Sequence, residues 1–268
     1  MILDGKSLSE KLYKELNISN KCKLIILTVG EDPASKVYVR NKLKACEKIG
    51  ILTEHITLNS DIEDFEEYLR DLLEIGYSQV NNLGIILQLP APEYFVEIFN
   101  RVIPGYTDVD GFGYHNQRML YIKNEAPWNY PATPKGIMAL LDNYSIPVTG
   151  KHVVIIGRSN IVGRPLATMM LNRNATVTIC HSKTENLESI TKMADILIVA
   201  VGKPKFINAS HISEGVTIID VGINRTENGL CGDVDFDDVK DKCYAITPVP
   251  GGVGPMTVYS LIENLVKQ

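Results

Sequence analysis

Apolar residues run along this chain in short blocks of strand length, separated by stretches that repeat at helical spacing. Residues 23–29 form a compact β-branched and leucine block, the mark of a strand buried on both faces. The spacing then predicts a helix over 33–49, with Asp32 as its cap, Pro33 in its first turn and Gly50 at its exit. A second strand is expected over 53–58, a helix over 64–75 and a third strand over 83–89, closed by Pro90 and Pro92. A helix over 93–101 follows. From 104 to 134 the periodicity fades and Gly, Pro, Tyr and Asn dominate, which reads as loops and a domain junction. Regular alternation returns with a strand over 152–156, a glycine-bearing turn, a helix to Asn172, and strands over 176–180, 196–199 and 217–220. The last stretch, 256–268, is helical and is expected to pack back on the first domain.

Strand and helix taking turns imply an α/β protein with mostly parallel sheets. Two domains are expected: a parallel-sheet α/β domain over 1–125, joined by the helix 256–268, and a Rossmann-like doubly wound nucleotide-binding domain over 126–255. A catalytic cleft is expected between them.

Composition narrows the function classes. With 268 residues, 45% hydrophobic and 22% charged, the chain can bury a substantial core. No apolar run reaches the length of a membrane helix, and Asp4 and Lys6 interrupt anything resembling a signal peptide. The net charge of −5, with scattered Lys and Arg, argues against a nucleic-acid surface. Five separated cysteines without a C-x-x-C pair suggest neither a metal site nor a disulfide framework, and fit a reducing cytosol.

In the second half, Gly157-Arg158-Ser159-Asn160-Ile161-Val162-Gly163 joins a strand to a helix. Backbone N–H groups at such a helix start are expected to be free for a phosphate. The pattern departs from a strict G-x-G-x-x-G, so a plain structural turn stays open. The end of the next strand, His181-Ser182-Lys183-Thr184, lacks the carboxylate that NAD sites place about 20 residues past the turn. Neutral and basic donors there would welcome a 2′-phosphate, although an exposed polar loop has the same composition.

In the first half, the 33–49 helix presents Lys36, Arg40, Lys44 and Glu47 on one side and Ser35, Tyr38, Lys42, Ala45, Cys46 and Ile49 on the other. A lysine on the inward side must line a polar cleft or have a partner; only its stem is expected to be buried. Gln88 falls near the end of the third strand, where open α/β sheets hold their ligands. Asp110, in Asp108-Val109-Asp110-Gly111, could hold a ring nitrogen and an amino group through its two oxygens, or could simply form a turn. The segment 247–255 is dense in Gly and Pro, suited to a ring approaching backbone or to a hinge.

These pieces, taken in order with Asp4-Gly5-Lys6 and Pro248-Val249-Pro250-Gly251-Gly252-Val253-Gly254-Pro255-Met256-Thr257, resemble the bifunctional methylenetetrahydrofolate dehydrogenase/cyclohydrolase family over nearly the whole chain. The resemblance implies NADP-dependent oxidation of 5,10-methylenetetrahydrofolate to the methenyl cation, and hydrolysis of that cation to 10-formyltetrahydrofolate. It implies catalytic roles for Lys42, Tyr38, Gln88 and Asp110. Lys42 would assist water attack and proton movement, and it would have to be neutral for part of the cycle, because a fixed ammonium repels a methenyl cation. Gln88 would hold Lys42, Tyr38 would align the folate and Asp110 would anchor the pterin. Ser35, Pro90, Gly251, Gly252 and Pro255 would complete the folate site; Gly157, Arg158, Ser159, Ile161, Val162, Ser182 and Ile223 would hold NADP. No metal is implied. The partners implied are tetrahydrofolate one-carbon derivatives and a second copy of the chain, in the cytoplasm.

Two segments differ from the family's usual pattern. Ala132-Thr133-Pro134 stands where a cysteine usually begins the triplet. Gly113-Tyr114-His115-Asn116-Gln117-Arg118 replaces a histidine-proline pair followed by Asn-x-Gly. Other readings are a member dominated by the dehydrogenase, an NADP-dependent dehydrogenase of the shikimate type, and a non-catalytic NADP sensor, which would carry a damaged Ser35, Tyr38, Lys42 face.

Overall fold

A computed structural model describes residues 1–268 apart from Glu31, Asp32, Glu63, Lys123, Asn124 and Asn228, and apart from the side chains of Pro33 and Ala34. The expected Asp32 cap lies outside the described residues. The chain divides into two compact units, Tyr13–Ala132 with Val258–Gln268, and Met1–Leu12 with Thr133–Thr257. The boundaries expected at 125/126 and 255/256 thus stand at 132/133 and 257/258, and the first twelve residues belong to the other unit. The reason is hydrogen bonding: Leu3 N donates to Ile246 O (2.9 Å), Ile246 N to Met1 O (3.0 Å) and Lys6 N to Gly251 O (2.8 Å).

α1 (Gly5–Glu15) precedes the first sheet, which is built from β1 (Cys22–Val29), β2 (Leu52–Leu58) and β3 (Asn82–Leu87) in the order β2-β1-β3, all parallel. Helices α2 (Pro33–Lys48), α3 (Phe65–Gln79) and α4 (Glu93–Val102) alternate with the strands. Period-2 alternation splits β1 between two cores. Ile25 and Leu27 face Phe65, Leu69, Phe95 and Phe99, whereas Leu24 and Ile26 face Val39, Cys46 and, from the C-terminal helix, Leu261, Ile262 and Leu265. Asp64 caps α3 by accepting from Glu67 N at 2.9 Å.

β3 stops at Leu87, two residues before its expected end. Gln88 N still donates to Leu27 O, but the chain then passes through a cis Leu89–Pro90 bond, and proline has no N–H to continue the ladder. The junction is not all loop: it contains α5 (Tyr114–Met119), and α6 (Ala132–Asn143) begins inside it, with Pro134 tolerated in the first turn.

The second sheet contains β4 (His152–Ile156), β5 (Thr176–Cys180), β6 (Ile196–Val199) and β7 (Thr217–Asp220). Helices α7 (Gly163–Asn172) and α8 (Leu187–Thr191) connect its first strands. Beyond β7 come a hairpin of β8 (Asn224–Thr226) and β9 (Gly229–Cys231), the short α9 (Phe236–Val239), β10 (Ala245–Ile246) and α10 (Val253–Val266). The sheet order β10-β7-β6-β4-β5 is wholly parallel and reverses direction at β4. Such a reversal opens a crevice at the strand ends. No helix among the described residues is long and apolar enough to cross a membrane.

Candidate active site

Helix α2 carries Lys42 into the interior because Val39 and Cys46, on either side of it along the same face, are core residues. Lys42 is only 6% exposed. The expectation that just its stem would be buried is corrected: the whole side chain lies inside, and its ammonium has two partners. Nζ donates to Gln88 Oε1 at 3.1 Å and to Asp110 Oδ2 at 3.3 Å. A buried ammonium requires such partners, since desolvation without them costs several kcal/mol. Gln88, just past the end of β3, is oriented from behind, its Nε2 donating to Leu89 O at 3.0 Å. Ser35 Oγ donates to the same carbonyl at 3.2 Å. Ser35, Lys42, Gln88 and Asp110, with Leu89-Pro90, therefore form one cluster. Tyr38, one turn from Lys42 on α2, is 42% exposed; burial of the rest of its ring pushes its phenol above the ordinary value.

Cys46, one turn further along α2, is buried, and desolvation pushes its thiol up to about 12, the nearby Lys42 working in the opposite direction. It stays a neutral thiol and supplies no nucleophile.

Asp110 is positioned by its neighbour Asp108, which is fully buried. Asp108 Oδ1 accepts from Gly111 N (3.0 Å), and Oδ2 from Gly113 N (2.7 Å) and Asn116 Nδ2 (3.0 Å). Burial nevertheless pushes the Asp108 carboxyl up to about 6. Asn116 also donates to Gly105 O, and Asn129 Nδ2 donates to Gly105 O, Tyr106 O and Asp108 O. The unusual segment 113–118 therefore retains the asparagine that ties the junction together. Gly113 suits its place, because a Cβ there would sit 3.0 Å from Asp108 Oδ2. Asn116 and Asn129 were invisible as site supports in the sequence; two asparagines in a Gly- and Pro-rich loop are ordinary turn formers.

The remaining expected residues lie in the other unit, with Met1–Leu12 and Thr133–Thr257. Strand pairing aligns Ile156 with Cys180 and Val199, and Val199 with Asp220, so Gly157, Ser182 and Ile223 all emerge at one edge of the second sheet. Gly157 has φ +126°, and a Cβ at Gly163 would collide with the Gly157 carbonyl, so the turn closes without room for side chains. The helix start, expected from sequence to have free amides, does not: Ser159 Oγ accepts from Val162 N (3.1 Å) and Gly163 N (3.4 Å), and Arg164 N donates to Ser159 O (3.1 Å). An oxygen that accepts from two amides turns its own hydrogen outward, so the serine hydroxyl replaces the amides as a donor. Arg158 is exposed beside it, and Ile161 and Val162 are half-buried. After β5, His181 N donates to Thr184 Oγ1 (2.9 Å) and Lys183 N to His181 Nδ1 (3.1 Å), a tight turn that leaves Ser182 and Lys183 exposed. A turn closed tightly at Gly157 and Gly163 beside the sheet reversal, outward donors and a carboxylate-free second strand end fit a dinucleotide bearing a 2′-phosphate. Gly251 (φ +115°), Gly252 and Pro255 lie in the loop between β10 and α10 and the first turn of α10. Gly252 N donates to Pro248 O at 2.8 Å, and a Cβ at Gly5 would strike the Gly252 carbonyl.

Residues 3–110 match the family described as tetrahydrofolate dehydrogenase/cyclohydrolase, catalytic domain, and residues 131–268 match its NAD(P)-binding domain. The chain belongs to the tetrahydrofolate dehydrogenase/cyclohydrolase family. It is 50% identical over 272 residues to the bifunctional protein FolD of Methanoculleus marisnigri, covering 98% of this chain and 94% of that one. Among solved structures, it is similar to the bifunctional methylenetetrahydrofolate dehydrogenase/cyclohydrolase FolD of Campylobacter jejuni, with a TM-score of 0.90, 43% identity and coverage of 100% and 97%. The Trypanosoma brucei enzyme complexed with NADP and an inhibitor has a TM-score of 0.88 at 31% identity, covering 99% and 95%. The match of both halves to the folate family sets aside the shikimate-type reading.

Proposed function

We infer that this member of the tetrahydrofolate dehydrogenase/cyclohydrolase family performs both reactions, oxidation of 5,10-methylenetetrahydrofolate with NADP and hydrolysis of the resulting 5,10-methenyl cation. The observation that carries this reading is the buried Lys42 ammonium held between Gln88 Oε1 and Asp110 Oδ2.

NADP, when bound, would supply the hydride acceptor for oxidation of the methylene carbon. Arg158 and the outward Ser159 hydroxyl would hold it, Ser182 would take its 2′-phosphate, and Gly157, Ile161, Val162 and Ile223 would shape its bed. On the folate side, Tyr38 aligns the substrate, and Ser35 and Pro90 line its site; the family resemblance supports a folate-binding role for Gly251, Gly252 and Pro255 as well. Asp110 anchors the pterin and also offsets the positive charge of Lys42, which would otherwise oppose a cationic substrate. In hydrolysis, water adds to the methenyl carbon and the bond from that carbon to N5 breaks. One water proton ends on N5 and the other is released. Lys42 assists this step: two of its donor directions are fixed by Gln88 and Asp110, and the third is available to the oxygen that has added to the methenyl carbon as that oxygen loses its proton. The product is 10-formyltetrahydrofolate, a formyl donor of the kind purine biosynthesis consumes. The family resemblance further supports a cytosolic homodimer.

The direct check is cyclohydrolase activity without cofactor. Purified wild-type protein should consume 5,10-methenyltetrahydrofolate faster than buffer alone; a rate equal to the buffer rate would remove the assignment.

A further inference from the structure

Two buried carboxylates, one ending β7 and one beyond it, have no part in the roles above. Asp233 is fully buried and accepts four hydrogen bonds. Its Oδ2 takes Val201 N (2.7 Å) and Gly202 N (2.9 Å), and its Oδ1 takes Lys203 N (2.8 Å) and Asn224 Nδ2 (2.8 Å). Three consecutive amides of the loop after β6 thus converge on one side chain, an arrangement that loops of parallel sheets more often direct at a ligand anion. Here the anion belongs to the protein. Asp233 is held in turn by Asp220, the last residue of β7. Asp220 Oδ1 accepts from Asp233 N (2.9 Å) and Gly222 N (3.1 Å), and its Oδ2 from Val234 N (2.9 Å). Thr247 Oγ1, just after β10, accepts from Asp220 N at 2.8 Å. Space is reserved for both carboxylates: a Cβ at Gly222 would collide with that of Asp233, and one at Gly232 with that of Asp220.

The relay ties together the ends of β6, β7 and β10. It grips Ile223 from both sides, through Gly222 N and the Asn224 side chain, while Ile223 itself stays 41% exposed at the sheet edge. We propose that Asp233, backed by Asp220, is a positioning residue for the cofactor: it sets the 201–203 turn and Ile223 in the shape that receives NADP, without touching NADP itself. The proposal rests on the reading of this unit as the NADP site.

The test compares wild type, Asp233→Asn and Asn224→Ala. In Asp233→Asn, an amide NH2 faces two of the four N–H donors and repels them. NADP binding is measured by calorimetry, amide hydrogen exchange at 201–203 without cofactor, and the cyclohydrolase rate without NADP. Asp233→Asn should exchange faster at 201–203 and bind NADP about tenfold more weakly, the loss of roughly one charge-assisted hydrogen bond's worth of order. Its dehydrogenase kcat at saturating NADP and its cyclohydrolase rate should stay within about twofold of wild type, because a positioning defect raises KM and leaves the chemical step alone. Asn224→Ala, which deletes one donor and leaves the carboxylate, should weaken NADP binding in the same direction by a smaller factor, and it decides the matter if Asp233→Asn does not fold. Unchanged NADP affinity in a folded variant whose 201–203 amides exchange faster would overturn the proposal. Failure of the wild type to bind NADP at all would instead overturn the cofactor reading beneath it.

Discussion

Lys42 and Asp110 depend on one another, and their substitutions should differ in kind. Lys42→Met should abolish hydrolysis of the methenyl substrate, read as a loss of absorbance decay. It should also cost stability, because the Asp110 carboxylate, 12% exposed at its side chain, loses its 3.3 Å partner. About 2 kcal/mol is expected in urea unfolding, below the loss typical of a fully buried pair. A Lys42→Met protein as stable as wild type would show that Asp110 has other compensation. Asp110→Ala should weaken folate binding by about tenfold or more, as expected for losing a charged contact, and leave NADP binding intact. An equal fall in NADP affinity, measured by calorimetry, would assign Asp110 to support of the fold instead.

At the scale of elements, the proposed NADP reading assigns cofactor choice to the β5 end. No carboxylate stands between Thr176 and Thr184 to repel a 2′-phosphate, and the 181–184 turn leaves Ser182 and Lys183 outward. The enzyme should prefer NADP to NAD in kcat/KM by roughly a hundredfold, from two charge-assisted contacts discounted for salt screening. Ser182→Asp should reverse part of that preference at fixed ionic strength, and equal efficiencies in the wild type would refute the reading. These elements were legible because parallel strands buried on both faces leave apolar blocks: β4, β5, β6 and β7 stand where the apolar pattern put them. Lys42 was legible as a polar residue on an apolar helix face. What stayed hidden depends on contacts distant in sequence. Asp233 gave no signal beyond two nearby glycines, since its four donors come from 201–203 and 224. The short β10 is a strand only because it pairs with β7 and with the N-terminus. The free helix start was misjudged because Ser159 folds back on the amides that follow it.

Across the whole molecule, each unit buries a carboxyl whose protonation is linked to folding. Burial pushes Asp108 up to about 6 and Asp220 up to about 7, from an ordinary value of 3.8. Between the ordinary and the raised values, the folded chain holds protons that the unfolded chain has released. These groups therefore stabilise the fold most below pH ~4, and their contribution is lost as pH rises toward ~7, by at most about 1.4 kcal/mol per pH unit for each group. Urea unfolding at pH 5, 6, 7 and 8 should show stability falling to pH ~7 and then levelling. Stability that climbs from pH 5 to pH 7 would contradict the burial argument.

The central claim is that one chain both makes and consumes the methenyl cation. It is tested by mixing the purified protein with 5,10-methylenetetrahydrofolate and NADP while recording NADPH and methenyl absorbance together. NADPH should accumulate steadily, with methenyl absorbance held low in wild type and rising in parallel with NADPH in Lys42→Met. If the wild type produces no NADPH, or if its methenyl absorbance accumulates one for one with NADPH, the two-reaction account fails.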